Sequence, residues 1–269
     1  MIVPKFQLKL FVSEAIGTAL LLFVGLNIVI FNWGEGSVVA RMIPSELIRT
    51  ILTGFVFGCV GCSIALSPVG KISGAHINPA VSIAFWLRGK MNTYVMIGYI
   101  VSQMIGAAIG CVPLLFMWGK QGSSIQYGIT LPANGKVFPA FMAEVFATAS
   151  LIFYLYIFIG RKNLRNYTPY GIPVLYSVLN ILVASISGDS TNPARSFGPA
   201  VITGNFSYYW LYWLAPVTGV VLVTLYFRRR RINRVYHMEA ARISYHDSPT
   251  PESLKTGELS ESQIAVSSK

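Results

Sequence analysis

Gly188-Asp189-Ser190-Thr191-Asn192-Pro193-Ala194-Arg195-Ser196-Phe197-Gly198-Pro199-Ala200 is the stretch on which the reading of this chain turns, and Ser73-Gly74-Ala75-His76-Ile77-Asn78-Pro79-Ala80-Val81 is its counterpart nearer the N-terminus. Each contains Asn-Pro-Ala and opens a short apolar segment, 78–87 and 193–203. At about 1.5 Å per residue, such a segment crosses only half of a bilayer. Pro79 and Pro193 suit the first turn of a helix, where the missing N–H would have no partner anyway. Asn78 and Asn192 then fall at the N-cap, where a side-chain oxygen accepts from helix N–H groups and the amide NH2 is left to donate to a passing oxygen. One Asn-Pro-Ala is a weak signal. Two, in an apolar chain, predict half-helices that meet N-terminus to N-terminus, with both positive dipole ends aimed at one point.

Working outward, long apolar segments lie at 8–32, 45–67, 92–117, 138–160, 169–187 and 208–227. The chain of 269 residues is 54% hydrophobic and 12% charged, with a mean hydropathy of +0.57. Soluble domains carry about 25% charged residues, so the solvent here is lipid. Glu14-Ala15-Ile16-Gly17-Thr18-Ala19 opens the first segment and Glu144-Val145-Phe146-Ala147-Thr148-Ala149 the fourth. Each is followed by the same order of spans and an Asn-Pro-Ala. With three spans per half, the halves lie in opposite orientations, an arrangement that puts the transport pathway at the repeat interface. The predicted fold is therefore an all-α membrane protein of six transmembrane helices plus two half-helices in an inverted repeat. Its channel domain covers 1–231, with repeats over 8–117 and 138–227, and a polar tail at 232–269 is expected to be disordered and cytoplasmic. Ser248-Pro249-Thr250-Pro251 within that tail is open to two readings, a regulatory site or plain solvated chain.

A net charge of +11 would suggest nucleic acid for a soluble protein. Here the charges sit in short loops and one run, Arg228 to Arg231, so they report topology and no nucleic-acid partner is expected. With the N-terminus inside, that side holds twelve basic residues and the other only Arg41, Arg49, Lys120 and Lys136, besides Arg195. Both termini are thus expected to be cytoplasmic. No cleavable signal peptide is expected, because the first apolar run is too long and contains Glu14. Cys59, Cys62 and Cys111 all lie in apolar segments and read as helix-packing residues. No metal-ligand cluster, phosphate-binding loop or cofactor motif appears, nor any nucleophile–base set, so neither an enzyme nor an energy-coupled pump is expected.

These motifs make the sequence resemble the aquaporin, or major intrinsic protein, family over about residues 8–227. The resemblance implies a passive water channel, assembled in the bilayer as a homotetramer with one pore per protomer. It further implies that Glu14 and Glu144 brace the Asn-Pro-Ala loops by accepting backbone N–H bonds, and that His76 sits beside the first loop facing the inner pore. Arg195 is implied to be the arginine of the outer selectivity filter. A cation at that depth is costly unless it faces an aqueous path.

The other filter positions depart from the strict water-channel pattern. Counting back from Asn78 reaches Gly58, or Phe57 if one residue is inserted; the fifth-span position is Asn180, and Asp189 stands where a small neutral residue is usual. A filter of Gly58, Asn180, Asp189 and Arg195 would be wider and more polar, admitting small uncharged solutes besides water. Asp189 is open to pairing with Arg195, to capping the half-helix, or to facing external water. The alternative function is a facilitator for glycerol, urea, ammonia or a metalloid acid, with water secondary. Ser196, Ala200 and Tyr212-Trp213 match the water-channel side of the family.

Overall fold

A computed structural model describes residues 5–229 of the chain. Among them ten α-helices follow one another: α1 (Lys5–Trp33), α2 (Val38–Met42), α3 (Glu46–Leu66), α4 (Pro68–Ser73), α5 (Pro79–Leu87), α6 (Thr93–Ser123), α7 (Val137–Gly160), α8 (Thr168–Ser187), α9 (Pro193–Thr203) and α10 (Leu211–Arg229). Six of these, α1, α3, α6, α7, α8 and α10, are long and apolar enough to cross a membrane. The half-helices are α5 and α9. The polar tail and its Ser248-Pro249-Thr250-Pro251 lie outside the described residues.

Two differences from the sequence reading have local causes. The third span was expected to stop at 117, yet α6 runs to Ser123, because a sharp bend at Gly119 (φ 40°, ψ −117°) adds a separate turn. The short α4 is an unexpected helix, yet its signal is ordinary. Ser67 caps it by accepting from the Gly70 N–H at 3.1 Å, and Pro68 occupies the first turn.

Packing follows the repeat. Helix α1 lies along α6, and its counterpart α7 lies along α10; α3 and α8, one from each half, pack against each other at the centre. Each half-helix leans on the closing span of the other half, α5 on α10 and α9 on α6. The α3–α8 crossing is close because Gly54 and Gly58 have no side chains. A Cβ on Gly54 would lie 2.5 Å from the Tyr176 carbonyl oxygen, and one on Gly58 would lie 2.6 Å from Pro173 Cα. Small residues at such spacing let membrane helices approach. On the outer faces, Ile97, Val101, Ile105 and Ile109 of α6 stand exposed in a row of period four, while Leu114 on the same helix is fully buried. A helix apolar on both faces is what lipid on one side and packed protein on the other require.

Candidate functional site

The loops leading into α5 and α9 have the same backbone shape. Gly74, Ala75 and Ile77 have φ of 88°, 49° and 42°, and Gly188, Asp189 and Thr191 have 89°, 49° and 51°. A β-branched residue at positive φ is a genuine outlier. Ile77 and Thr191 therefore each hold strain of about 1–3 kcal/mol, which surrounding contacts must offset.

Two fully buried carboxylates do so. Glu14 Oε2 accepts from the Ile77 N–H at 2.7 Å and Oε1 from the His76 N–H at 3.0 Å, with Ser73 Oγ and Gln103 Nε2 completing its shell at 2.6 and 2.7 Å. Glu144 repeats the pattern. Its Oε2 accepts from the Thr191 N–H and its Oε1 from the Ser190 N–H, both at 2.8 Å, and Ser187 Oγ donates at 2.7 Å. Tyr99 and Tyr212 tie the starts of the two loops by donating to the Ser73 and Ser187 carbonyls at 2.8 and 2.7 Å. Burial of these carboxyl groups is tolerated because their oxygens are met by donors.

The half-helices meet through their caps. Asn78 Oδ1 accepts from the Ala80 N–H at 2.8 Å, and Asn192 Oδ1 accepts from Ala194 and Arg195 at 2.9 and 3.3 Å. Pro79 and Pro193 begin the two helices, and Ala80 and Ala194 are fully buried beneath the caps. The amide groups are not wholly free, as the sequence reading had them. Asn78 Nδ2 donates to the Thr191 carbonyl at 3.0 Å, and Asn192 Nδ2 donates to the Ile77 carbonyl at 2.9 Å. An amide carries two N–H groups. One from each Asn is spent on holding the opposite loop, and the other remains for the cavity that both residues border.

Two chambers adjoin, named inner and outer after the sidedness that the distribution of basic residues leads one to expect. The inner, of about 90 Å³, is bordered by Asn78, Asn192 and His76 as well as by apolar residues such as Val81, Leu151 and Leu155. The outer, of about 390 Å³, is bordered by Thr50, Asn180, Ser185 and Asp189 among others. Among the described residues, the two chambers share Phe57, Tyr176, Ser190 and Arg195. Arg195 is buried, donates from Nη1 to the Gly128 carbonyl at 2.6 Å, and has its guanidinium 5.9 Å from the centre of the Phe57 ring.

The expected filter residues take different places. Phe57 is the second-span side chain at the level of Arg195. Gly58 borders the inner chamber with its backbone, and its missing side chain serves the α3–α8 crossing. Asn180 borders the outer chamber and donates to the Thr50 carbonyl at 2.7 Å. Asp189 also borders the outer chamber. Among the described residues it makes no ion pair with Arg195 within 4.0 Å, its Oδ1 is buried without a hydrogen-bond partner, and the cap of α9 is Asn192. His76 is buried, stacked on Phe85 at 4.8 Å, with Nδ1 3.2 Å from Ser82 Oγ. Cys62, read as a packing residue, borders the inner chamber, whereas Cys111 is fully buried.

The sequence reading missed Tyr176, Ser190 and Gly128. An aromatic in an apolar span reads as packing. Gly128 acts through its carbonyl, which leaves no side-chain signal. Ser190 lay inside the quoted motif, where its hydroxyl had no distinguishing neighbour.

The major intrinsic protein family model matches residues 2–227. A probable aquaporin TIP2-2 of Arabidopsis thaliana is 31% identical over 251 residues, which cover 92% of this chain and 93% of that protein. A probable TIP-type aquaporin of Nicotiana tabacum is 32% identical over 79% of this chain and 83% of its own length, and aquaporin-8 of Mus musculus is 30% identical over 81% and 80%. In architecture the chain is similar to the X-ray structure of the aquaglyceroporin from Plasmodium falciparum, with a TM-score of 0.71, 19% identity, and coverage of 85% of this chain and 98% of that one.

Proposed function

The chain belongs to the major intrinsic protein family, and on that premise we propose that it is a passive pore whose principal permeant is water. It is a multi-pass integral membrane protein of a channel-forming family. One observation carries the reading: Asn78 and Asn192 each reach across to the other's loop while bordering one chamber. A water oxygen beside them accepts from the two remaining N–H groups, which occupies its lone pairs and turns its hydrogens toward the two mouths. A proton moving along the water file needs a free lone pair there and does not find one. The converging dipole ends and Arg195 raise the cost of any positive charge.

For the filter we propose Phe57, the alternative that the sequence leaves open beside Gly58, together with Arg195 at the narrow level, with Asn180 and Asp189 on the wall of the outer chamber. That chamber is large enough to receive small uncharged solutes, and the constriction below decides which proceed. Residues 1–231 are proposed as the channel domain. Both termini are placed in the cytoplasm on the distribution of basic residues. Residence in the plasma or inner membrane and assembly as a homotetramer rest on family membership. No enzymatic role is proposed.

Stopped-flow light scattering on proteoliposomes tests the reading. Osmotic shrinkage well above that of empty liposomes, without proton leak, is the expected result. Shrinkage no faster than in empty liposomes would refute it, and solute uptake exceeding water flux would favour the glycerol- or urea-type facilitator.

A further inference from the structure

We propose that Tyr176 sets the solute cutoff of this pore, so that the size filter lies one helical turn inward of Asn180. The inference rests on the channel reading and deepens it. Asn180 borders the outer chamber, the larger of the two, and one N–H of its amide is spent on the Thr50 carbonyl. Tyr176, four residues earlier on α8 and so about 6 Å deeper along the helix axis, borders both chambers. A side chain that touches the space on either side of a narrowing is part of the narrowing.

The backbone of Tyr176 is held at one helix crossing and its ring at the hydroxyl. Its backbone carbonyl packs against Gly54, at the point where a Cβ would lie 2.5 Å away, so α8 approaches α3 more closely than any larger residue there would allow. Its hydroxyl lies 2.9 Å from Thr191 Oγ1. Thr191 Oγ1 donates its own proton to the Ser190 carbonyl at 2.7 Å, so in this pair Tyr176 is the donor. The tyrosine oxygen keeps a lone pair. Ser190 Oγ is occupied within its own loop, by the Asn192 carbonyl at 2.9 Å, Ser196 Oγ at 2.6 Å and the Asn192 N–H at 3.4 Å, which leaves Tyr176 as the acceptor. Arg195 presents N–H donors at the same level, and the Phe57 ring supplies an apolar wall.

The constriction thus offers donors and acceptors to a molecule that can use both. Water does so without needing more room. A larger polar solute can match the same groups only by displacing the Tyr176 ring, which the Thr191 hydroxyl holds in place. The inner chamber beyond, at about 90 Å³, has room for a few waters.

The ratio of urea uptake to water permeability in proteoliposomes tests this, using wild type, Tyr176→Phe, Tyr176→Ala and Asn180→Ala. Tyr176→Ala should raise the ratio by about tenfold or more, the scale on which a pocket discriminates by a small apolar group. Tyr176→Phe keeps the ring and should stay far closer to wild type, and Asn180→Ala should move the ratio less than Tyr176→Ala. If the alanine variant does not fold, Tyr176→Leu should shift the ratio the same way. An unchanged ratio in Tyr176→Ala or Tyr176→Leu, or a larger rise in Asn180→Ala, overturns the inference. A wild type without osmotic water flux would instead overturn the channel reading beneath it.

Discussion

Glu144 Oε2 accepts the backbone N–H of Thr191 at 2.8 Å, and that N–H belongs to a β-branched residue at a φ of 51°. The carboxylate is what makes this conformation tenable, because the same group also takes the Ser190 N–H. Glu144→Gln keeps the shape but sets an NH2 against one of these donors. An unsatisfied buried donor costs about 1–3 kcal/mol. The thermal midpoint of the detergent-solubilised protein should fall accordingly, with water flux reduced at temperatures where folded protein remains. A midpoint equal to wild type would show that the loop holds its shape without the carboxylate.

Arg195 is held by a single described side-chain bond, to the Gly128 carbonyl, and otherwise faces the passage. A unit charge about 4 Å from the path is worth about 1–4 kcal/mol between water-like and protein-surface dielectrics. Arg195→Val should therefore raise proton and cation leak at least about fivefold, with water flux far less affected. A pH-sensitive dye inside the proteoliposomes reads the leak; a tight membrane would place the cation barrier elsewhere.

Phe57 and Gly58 adjoin in sequence and should answer differently to the same replacement. Gly58→Ala forces a methyl against Pro173 Cα and should destabilise the α3–α8 crossing by about 1–3 kcal/mol, seen as a lower thermal midpoint. Phe57→Ala removes the ring facing Arg195 and should leave the midpoint closer to wild type while raising solute passage. Reversed outcomes would return the filter position to Gly58.

Among the described residues Asp189 makes no ion pair with Arg195 within 4.0 Å, and its Oδ1 is buried without a hydrogen-bond partner, so it does not tether the guanidinium. Asp189→Asn keeps the size of the side chain and should leave water permeability near that of wild type. A large change in water flux would mean that the carboxylate positions Arg195 after all.

Most of the fold was legible because its signals are long or repeated. Six apolar runs, two Asn-Pro-Ala motifs and the paired Glu14 and Glu144 each carry information over many residues. The constriction was not, for a reason of scale. One residue of offset on a helix turns a side chain by about 100°, so counting back from Asn78 could not separate Phe57 from Gly58. Tyr176 needed the third dimension, since its place beside both chambers follows from how α8 packs on α3 and is not marked in its own span. The amide groups of Asn78 and Asn192 looked free because their partners are backbone carbonyls in the other half.

Those two cross-loop bonds join residues 113 and 115 positions apart in the chain. A ribosome that has completed α6 has made the first Asn-Pro-Ala loop but nothing for it to close against. The conducting centre comes into being only after α9 has entered the membrane. Until then neither Asn amide has its carbonyl partner in the opposite loop.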